Sequence, residues 1–229
     1  EIQKNRHQAF EAFITRRLNL IPFDSNSNYS DFDAVILGSD QIWNPGITGG
    51  QYDEVYFGNN VRCKTIAYAA SSRSETLTDK QQQYLKSHLC KITSIGVREE
   101  SLKILLQPLV NQPINTVIDP SFLPDVAEYD KLCTPIKTSR PYVLVYEVER
   151  NDGTSRIANE IARSLNADVI ELVSYASPKF CRGRYRQESG PEEFLSYIKN
   201  AECIVTTSFH GMALSLKFQK NFYSIRQGT

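Results

Sequence analysis

Short apolar runs rich in Val, Ile and Leu alternate along this chain with stretches of helical periodicity, and that alternation constrains the fold more than any other feature. The runs fall at Asp33 to Leu37, Thr65 to Ala70, Ser94 to Val97, Asn115 to Ile118, Tyr142 to Tyr146, Asp168 to Leu172, Cys203 to Thr206 and Phe222 to Ile225. Helical patterns occupy Asp79 to Cys90, Glu99 to Gln107, Ser155 to Leu165, Pro191 to Asn200 and Gly211 to Phe218, and another opens the chain through Phe10, Phe13, Ile14 and Leu18. Strands that do not alternate polar with apolar residues suit burial on both faces, and strand–helix alternation builds βαβ units. The spacing therefore predicts an α/β fold with mainly parallel sheets covered by helices. At Thr134-Pro135-Ile136-Lys137-Thr138-Ser139-Arg140-Pro141 the composition turns to Pro, Ser, Thr and charge before a fresh strand begins. This reads as a linker between an N-terminal α/β domain, residues 1–136, and a C-terminal one, residues 140–229. The chain starts at Glu1 inside a helical pattern and stops at Thr229 just after an apolar strand, so it reads as truncated at both ends.

With 41% hydrophobic residues over 229 positions, the chain can bury a substantial core, which argues against disorder. Lys plus Arg equals Asp plus Glu at 26 each, so no general field pulls it toward nucleic acid or an anionic membrane. Nucleic acid is not expected as a partner. The five cysteines, at 63, 90, 133, 181 and 203, are odd in number and lack C-x-x-C pairs. They are expected to be reduced and mostly buried thiols in a cytoplasmic protein, with no metal site. No apolar run reaches the roughly 18 to 20 residues that span a bilayer, and no signal peptide opens the chain. The expectation is a soluble protein without a transmembrane segment.

In open α/β sheets ligands sit at the carboxyl ends of the strands, so the residues just after each run are where chemistry is sought. After the first run comes Gly38-Ser39-Asp40-Gln41-Ile42-Trp43. Asp40 and Gln41 can hydrogen-bond a hydroxylated acceptor and Trp43 can offer a flat face to a sugar ring. Alternatively Ser39 or Asp40 caps a helix and Trp43 is core, and spacing alone leaves both readings open. Tyr68-Ala69-Ala70-Ser71 follows the same logic: small residues allow a backbone close to a ligand, or simply tight packing with Ser71 as a cap. Arg98 follows the third run directly, and its planar fork can bind a carboxylate or phosphate, or pair with Glu99, Glu100 or Asp119. Asp119-Pro120-Ser121 suits a structural turn, or a carboxylate that orients Arg98.

The last constellation is Ser208-Phe209-His210-Gly211, entered from the strand Cys203 to Thr206 and left by a helix. The unpaired N–H groups and dipole of a helix N-terminus suit an anion, and an adjacent imidazole can move protons near neutral pH. Gly211 would keep that entrance open. His7 and His88 fall in helical surface patterns and are read as structural.

Taken together and in this order, these five motifs resemble the polysaccharide pyruvyl transferase family, with the likeness running from about Asp33 to Phe222. The resemblance implies two Rossmann-like domains arranged as in GT-B glycosyltransferases. It also implies transfer of a pyruvyl group from phosphoenolpyruvate to a sugar of a cell-surface polysaccharide or its precursor, forming a ketal. On that basis the N-terminal domain is the acceptor side and the C-terminal domain the donor phosphate side. His210 is the expected acid/base, Arg98 the anion clamp and Asp40 the acceptor base or anchor, with the helix start after Ser208 cradling phosphate. Ser39, Gln41, Trp43, Ser71, Asp119, Ser208 and Gly211 complete the expected substrate contacts. The donor is a substrate and no cofactor is implied, while a lipid-linked acceptor leaves room for peripheral membrane association. Many members carry Arg-Leu-His-Gly where this chain has Ser208-Phe209, and the family's first strand has no counterpart here. Two other readings stay open: a GT-B nucleotide-sugar glycosyltransferase and a non-catalytic saccharide-binding relative.

Overall fold

The computed structural model describes residues 1–21, 29–148, 151–173 and 183–226. In chain order it comprises α1 (Ile2–Arg17), β1 (Ala34–Leu37), β2 (Lys64–Ala70), α2 (Asp79–Leu89), β3 (Ser94–Val97), α3 (Glu100–Leu106) and β4 (Ile114–Thr116). Then come α4 (Val126–Asp130), β5 (Tyr142–Tyr146), α5 (Asp152–Ser164), β6 (Asp168–Leu172), β7 (Tyr185–Arg186), α6 (Pro191–Asn200), β8 (Cys203–Thr206), α7 (Phe209–Lys217) and β9 (Asn221–Ser224). Two parallel sheets result, one ordered β1-β2-β3-β4 and the other β7-β6-β5-β8-β9. Every predicted strand is present to within a residue or two. The two-residue β7 and the five-residue α4 are too short to carry a periodic signal.

The chain divides into two compact units, Ile21–Leu123 and a second made of Glu1–Leu20 with Pro124–Thr229. This differs from the division read from composition in two ways. The Thr134 to Pro141 stretch lies inside the second unit, where the Thr134 N–H donates to Ser196 Oγ at 2.9 Å and Ile136 packs on the core. Helix α1 also belongs to that unit. It has no buried residue and is held by polar contacts, Arg16 and Arg17 to Glu192 and Asn5 to Glu188, which hydrophobic periodicity does not report.

In the four-stranded unit, α2 starts at a reciprocal cap in which the Gln81 N–H donates to Thr78 Oγ1 while the Thr78 N–H donates to Gln81 Oε1. It buries Leu85 and Leu89 against Ile95, Val97 and Ile114 of the sheet. In the five-stranded unit β5 is buried on both faces, as its unbroken Tyr-Val-Leu-Val run requires. Tyr142 and Leu144 join Ile170, Ile198 and Ile204 in one core, whereas Val143 and Val145 join Ala158, Ala162 and Val205 in the other. The alternation is the period-two geometry of a strand dividing its side chains between two faces.

The cysteines depart from the expected burial. Cys203 is buried, Cys63 and Cys133 are half-buried, and Cys90 is exposed because it caps the C-terminus of α2 where the helix leaves the core. Cys181 lies outside the described residues. No helix among the described residues is long and apolar enough to cross a membrane.

Candidate active site

Four parallel strands of the first sheet deliver their C-terminal residues to one edge. Main-chain bonds from the Ser71 N–H to Asp40 O and from the Arg98 N–H to Ala70 O continue the ladder past β1, β2 and β3. Two residues there adopt left-handed backbone conformations that non-glycine residues avoid, Asp40 at φ 65° and Ala69 at φ 53°. At Ala69 the register between β2 and β3 shifts, a bulge that re-aims the end of the strand and with it Ser71.

Arg98 is the centre of this edge. Its Nε donates to Glu99 Oε1 at 2.9 Å, Nη1 to Asp119 Oδ2 at 3.0 Å, and Nη2 to Asp40 Oδ1 at 3.2 Å and Ser71 Oγ at 3.0 Å. Ser71 Oγ in turn donates to Glu99 Oε1 at 2.8 Å, closing the network. Burial works to lower the guanidinium, but the hydrogen bonds to Glu99 and Asp119 and the charge of Asp40 outweigh it and hold it above the ordinary arginine value. The Arg98 side chain is only 9% exposed, whereas the Asp40 carboxylate it holds is 53% exposed. Three carboxylates around one cation leave the cluster net negative, and the fork expected from sequence as an anion clamp is here occupied by Glu99, Asp119, Asp40 and Ser71. Asp119 has the structural job that its turn sequence allowed as well, accepting from the Ser121 N–H at 2.9 Å while its other oxygen orients Arg98.

The remaining residues of the first motif have other uses. Trp43 is 1% exposed, stacks on Phe57 with ring centroids 5.6 Å apart, and donates its indole N–H to Tyr56 O at 3.1 Å. Its face is taken by the core, so the sugar platform expected there is corrected to a packing role. Gln41 turns inward to accept from the Asn44 amide, and Ser39 is half-buried at the end of β1. The residue that caps the next turn is Asn44, not Ser39 or Asp40.

His210 belongs to the five-stranded unit. The strand order places β6 on one side of β5 and β8 on the other, so the chain reverses its winding direction between β5 and β8. A crevice at the carboxyl ends of the strands forms at such a switch point. Tyr146 ends β5, and Ser208, Phe209 and His210 come after β8 at that place. His210 lines a cavity of about 330 Å³ with Tyr146, Leu172, Arg186, Arg6 and the start of α6 at Gly190 and Pro191. This volume lies at the small end of the range for ligand pockets, about 300–1,000 Å³.

Ser208 caps α7 by accepting from the Gly211 N–H at 3.3 Å, and its own N–H donates to Thr206 Oγ1 at 3.0 Å. It also shares a hydrogen bond with the Tyr146 phenol, which burial pushes above its ordinary value and which Ser208 and the charge of Arg6 pull back. Gly211 does not keep an entrance open. It is buried, and a Cβ there would overlap Thr206 Oγ1 and approach Tyr146 Cδ1 to 3.1 Å, so the glycine lets α7 pack flush on β5 and β8. His7 is exposed, as its pattern predicts, but His88 is half-buried and stacks on Tyr84 at 3.9 Å.

The sequence reading named Glu99 only as an ion-pair partner of Arg98, which it is at 2.9 Å, and missed Tyr146, Arg6 and Arg186. Glu99 was legible as an acidic helix start, and its N-cap position gives it no side-chain cap bond and frees it for Arg98. Among the described residues no cluster of His, Cys, Asp and Glu is arranged to hold a metal ion.

No curated protein and no solved structure matches this chain at a significant level. A family match nonetheless covers residues 2–228, including the five motifs that build the Arg98 cluster and the His210 pocket. The chain belongs to the polysaccharide pyruvyl transferase family.

Proposed function

We propose that the protein transfers the pyruvyl group of phosphoenolpyruvate to a sugar of a cell-surface polysaccharide or its precursor, on a GT-B-like two-domain scaffold, and closes a cyclic ketal. The observation that carries this reading is His210 in a small cavity at a strand-order switch point, in a chain that belongs to this family. Protonation of the donor's methylene carbon forms a C–H bond and leaves an oxocarbenium-like centre, to which one sugar hydroxyl adds with loss of its proton. A second hydroxyl then displaces inorganic phosphate, and its proton leaves with the phosphate or the base. Two C–O bonds form, one C–O bond to phosphate breaks, and no redox change occurs.

In this scheme His210 moves the proton at the donor, and the exposed Asp40 carboxylate anchors and deprotonates the acceptor hydroxyl. Arg98, Ser71, Glu99 and Asp119 fix the carboxylate's direction, which makes Arg98 a positioning residue. The reaction needs a donor made in central metabolism, which favours a cytoplasmic location, with a lipid-linked acceptor reached peripherally.

The test is turnover of phosphoenolpyruvate with a saccharide acceptor, monitored by phosphate release and a pyruvyl mass increment on the sugar. His210→Ala is expected to lose about 10²- to 10⁴-fold in rate with its melting curve preserved. Near-normal transfer by a folded variant would remove His210 from the mechanism. Nucleotide release from a sugar nucleotide, with phosphoenolpyruvate untouched, would replace the reading by glycosyl transfer.

A further inference from the structure

The cavity beside His210 contains two positive groups with no task in the scheme above. Arg6 reaches it from the first half of α1 and Arg186 from the end of β7. Their acceptors among the described residues are neutral. Arg6 Nη1 donates to Val173 O at 3.2 Å, while Arg186 donates through Nε to the Tyr197 hydroxyl at 3.0 Å and through Nη1 to the carbonyls of Gly183 and Tyr185. The ion pairs described in this unit run elsewhere: Arg16 and Arg17 to Glu192, Lys131 to Glu128, Arg140 to Asp168, Arg184 to Glu171, Lys199 to Asp130. Neutral acceptors fix a guanidinium without cancelling its charge, so both keep their attraction for an anion in this cavity.

The backbone is built to bring Arg6 there. At Gly190, the residue before α6, an added Cβ would lie 2.9 Å from Ala9 Cβ. Lacking one, the start of α6 admits α1 at close range. The other end of α1 is tied down by Arg16 and Arg17 on the mostly buried Glu192. Apolar walls from Phe10, Leu172, Phe194 and Leu214 complete the cavity.

We propose that Arg6 and Arg186 are the anion-binding pair of this cavity, taking a small ligand that carries both a carboxylate and a phosphate. The ligand's identity as phosphoenolpyruvate rests on the pyruvyl-transfer reading, whereas the pair itself rests on the cavity. The two guanidiniums divide the ligand's charges between them, and His210 is left to act on the carbon that joins them.

The experiment is calorimetric titration of the full chain with phosphoenolpyruvate and, separately, inorganic phosphate, at low and high salt, for wild type, Arg6→Gln, Arg186→Gln and Arg186→Lys. Each Gln variant is expected to weaken phosphoenolpyruvate binding by about tenfold or more, with the loss shrinking at high salt and Arg186→Lys falling between. The donor KM should rise while kcat at saturating donor changes little. Arg6 lies on a half-exposed helix face, so Arg6→Gln tests the pair even if the Arg186 variants fold poorly. Wild-type affinity in a folded Arg6→Gln, in an enzyme that transfers pyruvate, would overturn the arginine assignment and leave the activity standing. Phosphate binding that depends on both arginines, with phosphoenolpyruvate neither bound nor consumed, would support the anion site and overturn the donor identity. Binding of neither anion by wild type would overturn the pair.

Discussion

Arginine stands at the carboxyl ends of both parallel sheets, but the company it keeps differs. In the four-stranded unit Arg98 is enclosed by Asp40, Glu99 and Asp119, and the strands lie in sequence order with no reversal. In the five-stranded unit Arg6 and Arg186 are held by carbonyls and a phenol, beside a strand-order reversal that opens a cavity. The same side chain therefore does opposite work. Ringed by carboxylates it aims negative groups, of which Asp40 is the most exposed. Held by neutral acceptors it remains a positive surface for a negative ligand. Burial also divides the two cases energetically, because Asp119 loses its compensating cation if Arg98 is removed, whereas the carbonyls beside Arg6 do not carry a net charge.

The largest effect that can break this contrast is on stability. Arg98→Met should cost about 3–5 kcal/mol in urea unfolding, because the 2%-exposed Asp119 carboxylate is left without this cation. A loss below about 1 kcal/mol would mean that the cluster is solvated and not an organising centre. Gly211→Ala should cost about 1–3 kcal/mol by pushing α7 off Thr206 and Tyr146, and should weaken donor binding with it. Unchanged stability and affinity together would show that α7 is free to shift.

A smaller effect concerns Tyr142, whose buried phenol donates to Tyr197 O at 2.8 Å in the core of the five-stranded unit. Burial raises its folded pKa, assisted by Tyr197 and Glu202. The neutral phenol is thus favoured in the fold, and its contribution is complete below about pH 10 and declines above it, by up to about 1.4 kcal/mol per pH unit. Unfolding free energy should fall as pH rises past that point, and Tyr142→Phe should flatten the fall while losing about 1 kcal/mol at neutral pH. A wild-type curve level to about pH 11.5 would contradict it. The smallest expected effect is Arg6→Gln, within about 0.5 kcal/mol of wild type by the same urea assay. A larger loss would make Arg6 a structural tie of α1.

The fold was legible where burial writes a pattern into the sequence. The Tyr142 to Tyr146 and Cys203 to Thr206 runs read as strands because each is apolar almost without interruption, and Arg98 and His210 do follow the strands Ser94–Val97 and Cys203–Thr206. Trp43 misled because an aromatic near a motif looks the same whether its face meets Phe57 or a sugar. Gly211 misled for a similar reason: sequence shows a missing Cβ but not what would fill the space. Arg6 and Arg186 were illegible because both depend on long-range docking. One rides on a helix without buried residues, and the other ends a two-residue strand. Neither leaves a periodic trace.

The most direct test of this division of labour is a side-by-side titration of phosphoenolpyruvate on Arg98→Lys and Arg186→Lys, with acceptor KM measured for both. The expected result is a weaker donor in Arg186→Lys and donor affinity within about twofold of wild type in Arg98→Lys, which should instead show a raised acceptor KM. Donor affinity lost in Arg98→Lys and retained in Arg186→Lys would contradict the account, because the arginine enclosed by carboxylates would then be the one that holds the anion.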